Sequence, residues 1–263
     1  MRVLLCLGLC SVLGHTATKM IVTVVEQKTG RPVGGLKVDD FTVLDDKSPK
    51  KVQGVEVTAG PIDAMLLVDS SLVGQMVQPV AASLIDQLAD KEQMALVAYD
   101  SSANMVQDFT PGKDLLKRAL GGIKYGNTPY LLDAVYAAID GGFRGSTFRR
   151  VIVLLTSGFE GPSRMREWEV VKLARRDGVS IYPVYVVGAA RGLFENLARQ
   201  TGGASFSLRD MSKDRGINPA QRIFEVLRSY YTLTLTGNLT LGDRVKVEVK
   251  QPQKLQVSAL PLD

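Results

Sequence analysis

The chain alternates between two textures of apolar and polar residues. From Ile21 to Thr58, short segments such as IVTVV, FTVL and VQGVEV are broken by KTGRPVGG and DDKSPKK, a pattern of strands and turns. Beyond Gly60 and Pro61, nearly unbroken apolar runs appear at Met65 to Val68, Met94 to Tyr99, Val151 to Leu155 and Val179 to Val187. Such runs suit strands covered on both faces. Helical spacing marks Met76 to Asp90, Lys113 to Leu120, Pro129 to Ile139, Arg166 to Arg176, Leu193 to Gln200 and Pro219 to Tyr230. This alternation predicts an α/β fold, doubly wound about a mainly parallel sheet with helices on both faces. The tail, with YYTLTLTG, RVKVEVK and KLQVSAL, returns to the opening texture. Neither end is long enough to build a core alone, so the two are expected to pair as a small discontinuous β subdomain. The expected organisation is residues 18–60 and 231–263 for that subdomain and 61–230 for the α/β domain.

Residues 1–17 read as a secretory signal: Arg2 precedes an apolar run from Val3 to Leu13, and small and polar residues follow. The run is shorter than the ~20 apolar residues that span a bilayer, so no membrane span is expected after cleavage between Gly14 and Thr18. The mature chain is expected in the periplasm or outside the cell. Cys6, Cys10 and His15 all lie in this segment, and a mature chain from Thr18 then has neither residue type. Thiol catalysis, disulfides, zinc fingers and histidine-dependent serine triads are thereby excluded from it. Without Arg2, the 32 basic and 27 acidic residues become 31 and 27, a net charge of +4. The densest basic region, Arg144 to Arg176, has Glu160, Glu167 and Glu169 mixed into it. No nucleic-acid partner is expected.

In open α/β sheets the functional crevice lies outside the carboxyl ends of the strands. Three polar groups fall there: Asp69 with Ser70 and Ser71 after MLLV, Thr128 in GNTPYLLDAV, and Thr156, Ser157 and Gly158 after VIVLL. A purely local reading is open for each, with Asp69 and Ser71 satisfying backbone amides and Thr128 capping a helix that starts at Pro129. A serine nucleophile needs a base, and the mature chain has no histidine. The glycines of a G-x-S-x-G elbow are absent, and Ser48 to Lys51 in KSPKK lacks the partner motifs of an S-x-x-K enzyme. No P-loop or G-x-G-x-x-G occurs. No enzyme is expected, and a histidine-free hydrolase is the remaining catalytic alternative.

A DxS after the first apolar strand, a threonine ahead of a helix and a TxG turn after a later strand resemble a von Willebrand factor A (VWA) domain. GRPVGGLKVDDFTVLDD, NTPYLLDAV, GVSIYPV, LARQTGGASF and LRSYYTLTL, in that order, resemble more narrowly the exported VWA-related proteins known mainly from acidobacteria. The resemblance covers roughly Ile21 to Lys250. It implies a Rossmann-like sheet, a role in protein interaction or cell adhesion, and a metal-ion-dependent adhesion site. There DxSxS, a threonine and the aspartate of TDG hold a divalent cation, usually magnesium, and a partner carboxylate completes its shell. A hard cation of this kind takes oxygen ligands in near-octahedral geometry.

Asp69 and Ser71 match the first two motif positions and Thr128 the threonine, whereas Val73 stands for the second serine and Ser157 for the TDG aspartate. Valine offers no oxygen, and the serine removes one of two negative charges. The expectation is a degenerate site without a cofactor, binding magnesium weakly at most, with Glu160 and Asp100 as the candidates for a substitute carboxylate. The expected function is an exported interaction module for an unknown protein of the cell envelope or exterior. Ser70, Tyr130, Phe159 and Arg164 on the loops at the sheet's carboxyl edge would meet that partner. The alternative is a magnesium-dependent adhesin built on the partial site.

Overall fold

The computed structural model describes residues 17–211, 216, 218–239 and 245–262. The expected signal segment lies outside them except for Ala17. Strands β1 (Ala17–Glu26), β2 (Phe41–Asp45), β3 (Ser48–Lys50) and β4 (Val52–Ala59) open the chain. The α/β part follows as β5 (Ile62–Asp69), α1 (Gln78–Ile85), β6 (Gln93–Tyr99), β7 (Ala103–Thr110), α2 (Lys113–Gly121), α3 (Leu131–Gly142), β8 (Arg149–Thr156) and α4 (Glu167–Arg176). It continues through β9 (Val179–Tyr185), α5 (Arg191–Gln200), β10 (Phe206–Ser207), α6 (Leu208–Met211) and α7 (Pro219–Arg228). Strands β11 (Ser229–Thr236), β12 (Val245–Val249) and β13 (Leu255–Leu262) close it.

Six strands form the central sheet in the order β10-β9-β8-β5-β6-β7. All neighbours run parallel except β6 and β7. The apolar run of β5 explains its central place, because every residue from Ile62 to Asp69 is buried. Strand side chains alternate between faces. Accordingly Ile62, Ala64, Leu66 and Val68 pack with α1, α2 and α7 on one side, and Met65 and Leu67 pack with α3, α4 and α5 on the other. The start of α7 shows how local chemistry sets an element. Asn218 accepts hydrogen bonds from the N–H groups of Ala220 and Gln221, at 3.0 and 3.4 Å, and Pro219 fills the first turn. At its far end Arg228 reaches buried Glu92 through two bonds of 2.7 and 2.6 Å, fastening α7 to the turn before β6.

The two chain ends do pair. A four-stranded antiparallel sheet has the order β13-β1-β11-β4, and a three-stranded sheet the order β12-β2-β3. Met20, Val22, Val24, Leu233 and Leu235 of the first pack on Phe41 and Val43 of the second as a small sandwich. The opposite face of β1 meets the α/β domain, where Thr23 Oγ1 donates to the Gly202 carbonyl at 2.8 Å. Strand β1 is therefore buried on both sides from Met20 to Val25, so its IVTVV run is a buried core strand. The β2–β3 turn at Asp46 and Lys47 takes two left-handed residues, φ 48° and 69°, which matches the twist of a tight hairpin.

Candidate functional site

Asp69 ends β5 at the crest of the sheet, where the carboxyl ends of the parallel strands meet the loops, and it is fully buried. Its Oδ1 accepts the N–H of Ser71 at 2.9 Å, a local turn of the kind aspartate favours. Its Oδ2 accepts both the N–H and the Oγ–H of Ser157, at 2.9 and 2.5 Å. The residue at the TDG aspartate position thus donates to Asp69, where an aspartate would face it as a second anion. Gly158 comes next at φ +115°, where a Cβ would lie 1.8 Å from the Val187 carbonyl oxygen. Only glycine fits there. That close approach lets the Ser157 carbonyl accept the Val187 N–H at 2.9 Å, which ties the loop after β8 to the loop after β9.

The loop carrying Thr128 lies along the Asp69 loop. The Ser70 carbonyl accepts the Gly126 N–H at 2.8 Å, and the Asn127 carbonyl accepts the Leu72 N–H at 3.3 Å. Asn127 is left-handed, φ 59°, and its side chain donates to Asp100 Oδ2 at 2.8 Å. Helix α3 starts at Leu131 with Tyr130 at its cap position and no side-chain cap. The local reading of Thr128 as a helix cap therefore fails: its side chain is exposed, three residues ahead of the helix. The reason is the Tyr130 N–H, which is held by the Asp100 carbonyl at 2.7 Å and keeps residues 128–130 out of the helical turn.

Asp69, Ser71, Ser157 and the Thr128 loop come together at the crest, and the other expected residues divide. Ser70 is buried, Tyr130 is half-buried, and Phe159 and Arg164 are exposed. Asp100 is engaged by Asn127 and by the Ser102 N–H at 3.1 Å. The Glu160 carbonyl accepts the Leu131 N–H at 3.1 Å. Among the described residues no three of the types histidine, cysteine, aspartate and glutamate group closely enough to hold a metal ion. One oxygen does stand ready, since Ser71 Oγ is buried without a hydrogen-bond partner. Burial, and then the charge of Asp69, push the phenols of Tyr99 and Tyr125 above their ordinary range, with a contact to Thr156 opposing the shift at Tyr99.

Apart from Phe159, sequence reasoning missed the apolar part of the crest. Leu72 is 76% exposed, and Val73 and Met76 beside it, Phe159 after β8 and Val187 after β9 are also exposed large apolar side chains. Single exposed apolar residues are ordinary; here five stand on the loops that follow β5, β8 and β9. The stretch LVGQM between a strand end and a helix was the available signal.

No family profile and no curated relative matches the chain; its similarities are to solved structures. A proximal thread matrix protein 1 from the mussel byssus, with a zinc-occupied MIDAS motif, aligns with a TM-score of 0.54 at 17% identity over 73% of this chain and 50% of that one. The chain thus spans about half the length of that protein. BatB from Bacteroides thetaiotaomicron aligns with a TM-score of 0.48 at 14% identity over 64% of this chain and 98% of its own, and the SpRpn10 VWA domain with 0.46 at 15% over 62% and 97%. The parallel sheet with one antiparallel edge and helices on both faces agrees with the likeness to the thread matrix protein: the α/β part of the chain has the von Willebrand factor A fold.

Proposed function

We propose that the protein is an exported, non-enzymatic interaction module whose crest binds a partner protein of the cell envelope or exterior through apolar side chains, without a bridging cation. The observation that carries this reading is the state of Asp69. Both of its oxygens accept hydrogen bonds from the protein, and Ser157 supplies two of the three. A magnesium ion needs near-octahedral oxygen ligation and draws on carboxylate charge, whereas this crest offers one engaged carboxylate and an exposed valine at the second serine position. The donor set does not fit the ion. Around it, Leu72, Val73, Met76, Phe159 and Val187 provide apolar contact area, and Arg164 adds an exposed cation. Aromatic residues and arginine are the types that anchor interfaces best.

Export rests on the order of residues 1–17, where Arg2 precedes an apolar run and small and polar residues follow. Among the described residues no helix is long and apolar enough to cross a membrane. The magnesium-dependent reading has one observation in its favour, the unpartnered Ser71 hydroxyl. Affinity capture from cell-envelope extract separates the two, using wild type and a Leu72→Asp/Phe159→Asp variant of unchanged circular dichroism, each with and without chelator. The expected result is a partner held by wild type in chelator and lost by the variant. A partner released by chelator, or retained by the variant, contradicts the proposal.

A further inference from the structure

The three sheets of the molecule end on one cleft. Strands β10, β12 and β13 are each the terminal strand of their sheet, and all three, with α5, line a cavity of about 900 Å³. That volume is at the upper end of the ~300–1,000 Å³ range of ligand-holding clefts. None of Asp69, Ser71, Thr128, Ser157 and Phe159 lines it, so it is separate from the crest.

The strand register shows what the cleft wall presents. In an antiparallel ladder, successive residues turn their main-chain groups alternately toward the partner strand and away from it. The Gln27 N–H donates to the Lys254 carbonyl at 3.0 Å, extending the β1–β13 ladder in which Val25 faces Gln256 and Thr23 faces Ser258. Lys254, Gln256 and Ser258 therefore point their peptide groups at β1, and Leu255 and Val257 point theirs away. Pro261, which has no N–H to give, belongs to the outward set, as the ladder requires. On β12 the Lys250 N–H donates to the Asp40 carbonyl at 2.9 Å, which by the same alternation leaves Val247 and Val249 pointing away from β2. Residues 247–249 and 255–257 all line the cleft, and the outward main-chain groups there take no hydrogen bond from another described residue. Edge strands are usually protected by lysine, proline or a bulge, and residues 255–257, Leu-Gln-Val, carry none of these.

The cleft also differs from the rest of the molecule in charge. Five acidic side chains line it against three basic ones, in a chain whose net charge is +5. Glu26 ends β1, the neighbour of β13, and Glu248 lies on β12.

We propose that this cleft takes an extended, lysine- or arginine-bearing segment of a partner protein, which adds to the outer edge of β13 at Leu255 and Val257 as an extra strand. Main-chain hydrogen bonds supply affinity in such strand addition, and alternate side chains supply selectivity. Here the apolar floor, Phe206 and Val249 among it, receives one set of side chains, and the acidic rim selects basic residues in the other.

The test pans a phage-displayed library of random ten-residue peptides on the full chain, with Val257→Pro, which removes an outward N–H without touching the β1 ladder, as the counter-selection. A Glu26→Lys/Glu248→Lys variant serves as a second control that leaves the edge intact. Enriched peptides are then synthesised and measured by fluorescence anisotropy. The expected peptides are basic and bind wild type. Methylating alternate backbone nitrogens of the peptide, or reversing the two glutamates, weakens them about tenfold or more, as loss of two hydrogen bonds implies. Failure to enrich peptides over the Val257→Pro protein, or binding indifferent to backbone methylation, overturns the proposal. So does sedimentation showing a dimer that the selected peptides dissolve, because the occupant is then a second copy of the chain.

Discussion

Ser157 donates twice to Asp69, and the consequence is a buried carboxylate held by the protein itself. Hydrogen bonds to a charged group contribute about 1.5–3 kcal/mol each. Ser157→Ala is therefore expected to lower unfolding stability by about 2 kcal/mol in a denaturant titration, because one of Asp69's three donors disappears. A stability unchanged within error would show that the Ser157 hydroxyl does not hold Asp69. Spacing along the chain was enough to single out Asp69, Ser71, Thr128 and Ser157, since each follows an apolar strand or precedes a helix. The bond from Ser157 to Asp69 was not legible, because it joins residues 88 apart in sequence and a serine in place of an aspartate reads only as something missing. Val73 shows a similar limit. It reads as a lost ligand, and its exposure beside Leu72 emerges only when the loop is folded.

At the scale of elements, the long apolar runs were legible because both faces of β5, β6, β8 and β9 are covered by helices. Strand β7 was missed. Its sequence, ANMVQDFT, mixes apolar and polar residues because it is an edge strand with Met105 and Val106 exposed, and burial no longer imposes a pattern. Helix α1 ends at Ile85, short of the expected Asp90, because the Gln87 and Leu88 N–H groups turn to Leu84 and Ile85 in a tighter winding. The pairing of the chain ends has a testable consequence, since β1 lies between β11 and β13 and hydrogen-bonds to both. A fragment beginning at Pro61 leaves those two strands with bare edges and is expected to aggregate. A fragment of residues 61–228, which removes β11 and β13 as well, is expected to stay more soluble in light scattering at equal concentration. Equal behaviour would mean that the two ends do not depend on one another. Within the sandwich, Leu233→Ala removes a fully buried side chain and is expected to cost about 2–5 kcal/mol by the same denaturant assay.

For the molecule as a whole, pH acts through buried phenols. Tyr99, Tyr125, Tyr185 and Tyr231 have raised pKa values, burial being the first cause for each. Unfolded tyrosine ionises near ~10, so the unfolded chain loses these protons at a lower pH than the folded one. Stability present at neutral pH is then expected to fall as pH rises above about 10 toward the raised values. Absorbance at 295 nm should show these tyrosines titrating together with unfolding, and a reversible titration of all eight near pH 10 in the folded state would refute this. At neutral pH, the crest is proposed to work without a bridging cation. Calorimetric titration of magnesium and of manganese into the chelator-treated protein, beside a Val73→Ser/Ser157→Asp variant, tests it most directly. Wild type is expected to give no saturable heat and the variant measurable binding, because the variant gains an oxygen ligand and a carboxylate. Saturable binding by wild type that Asp69→Asn abolishes would contradict it.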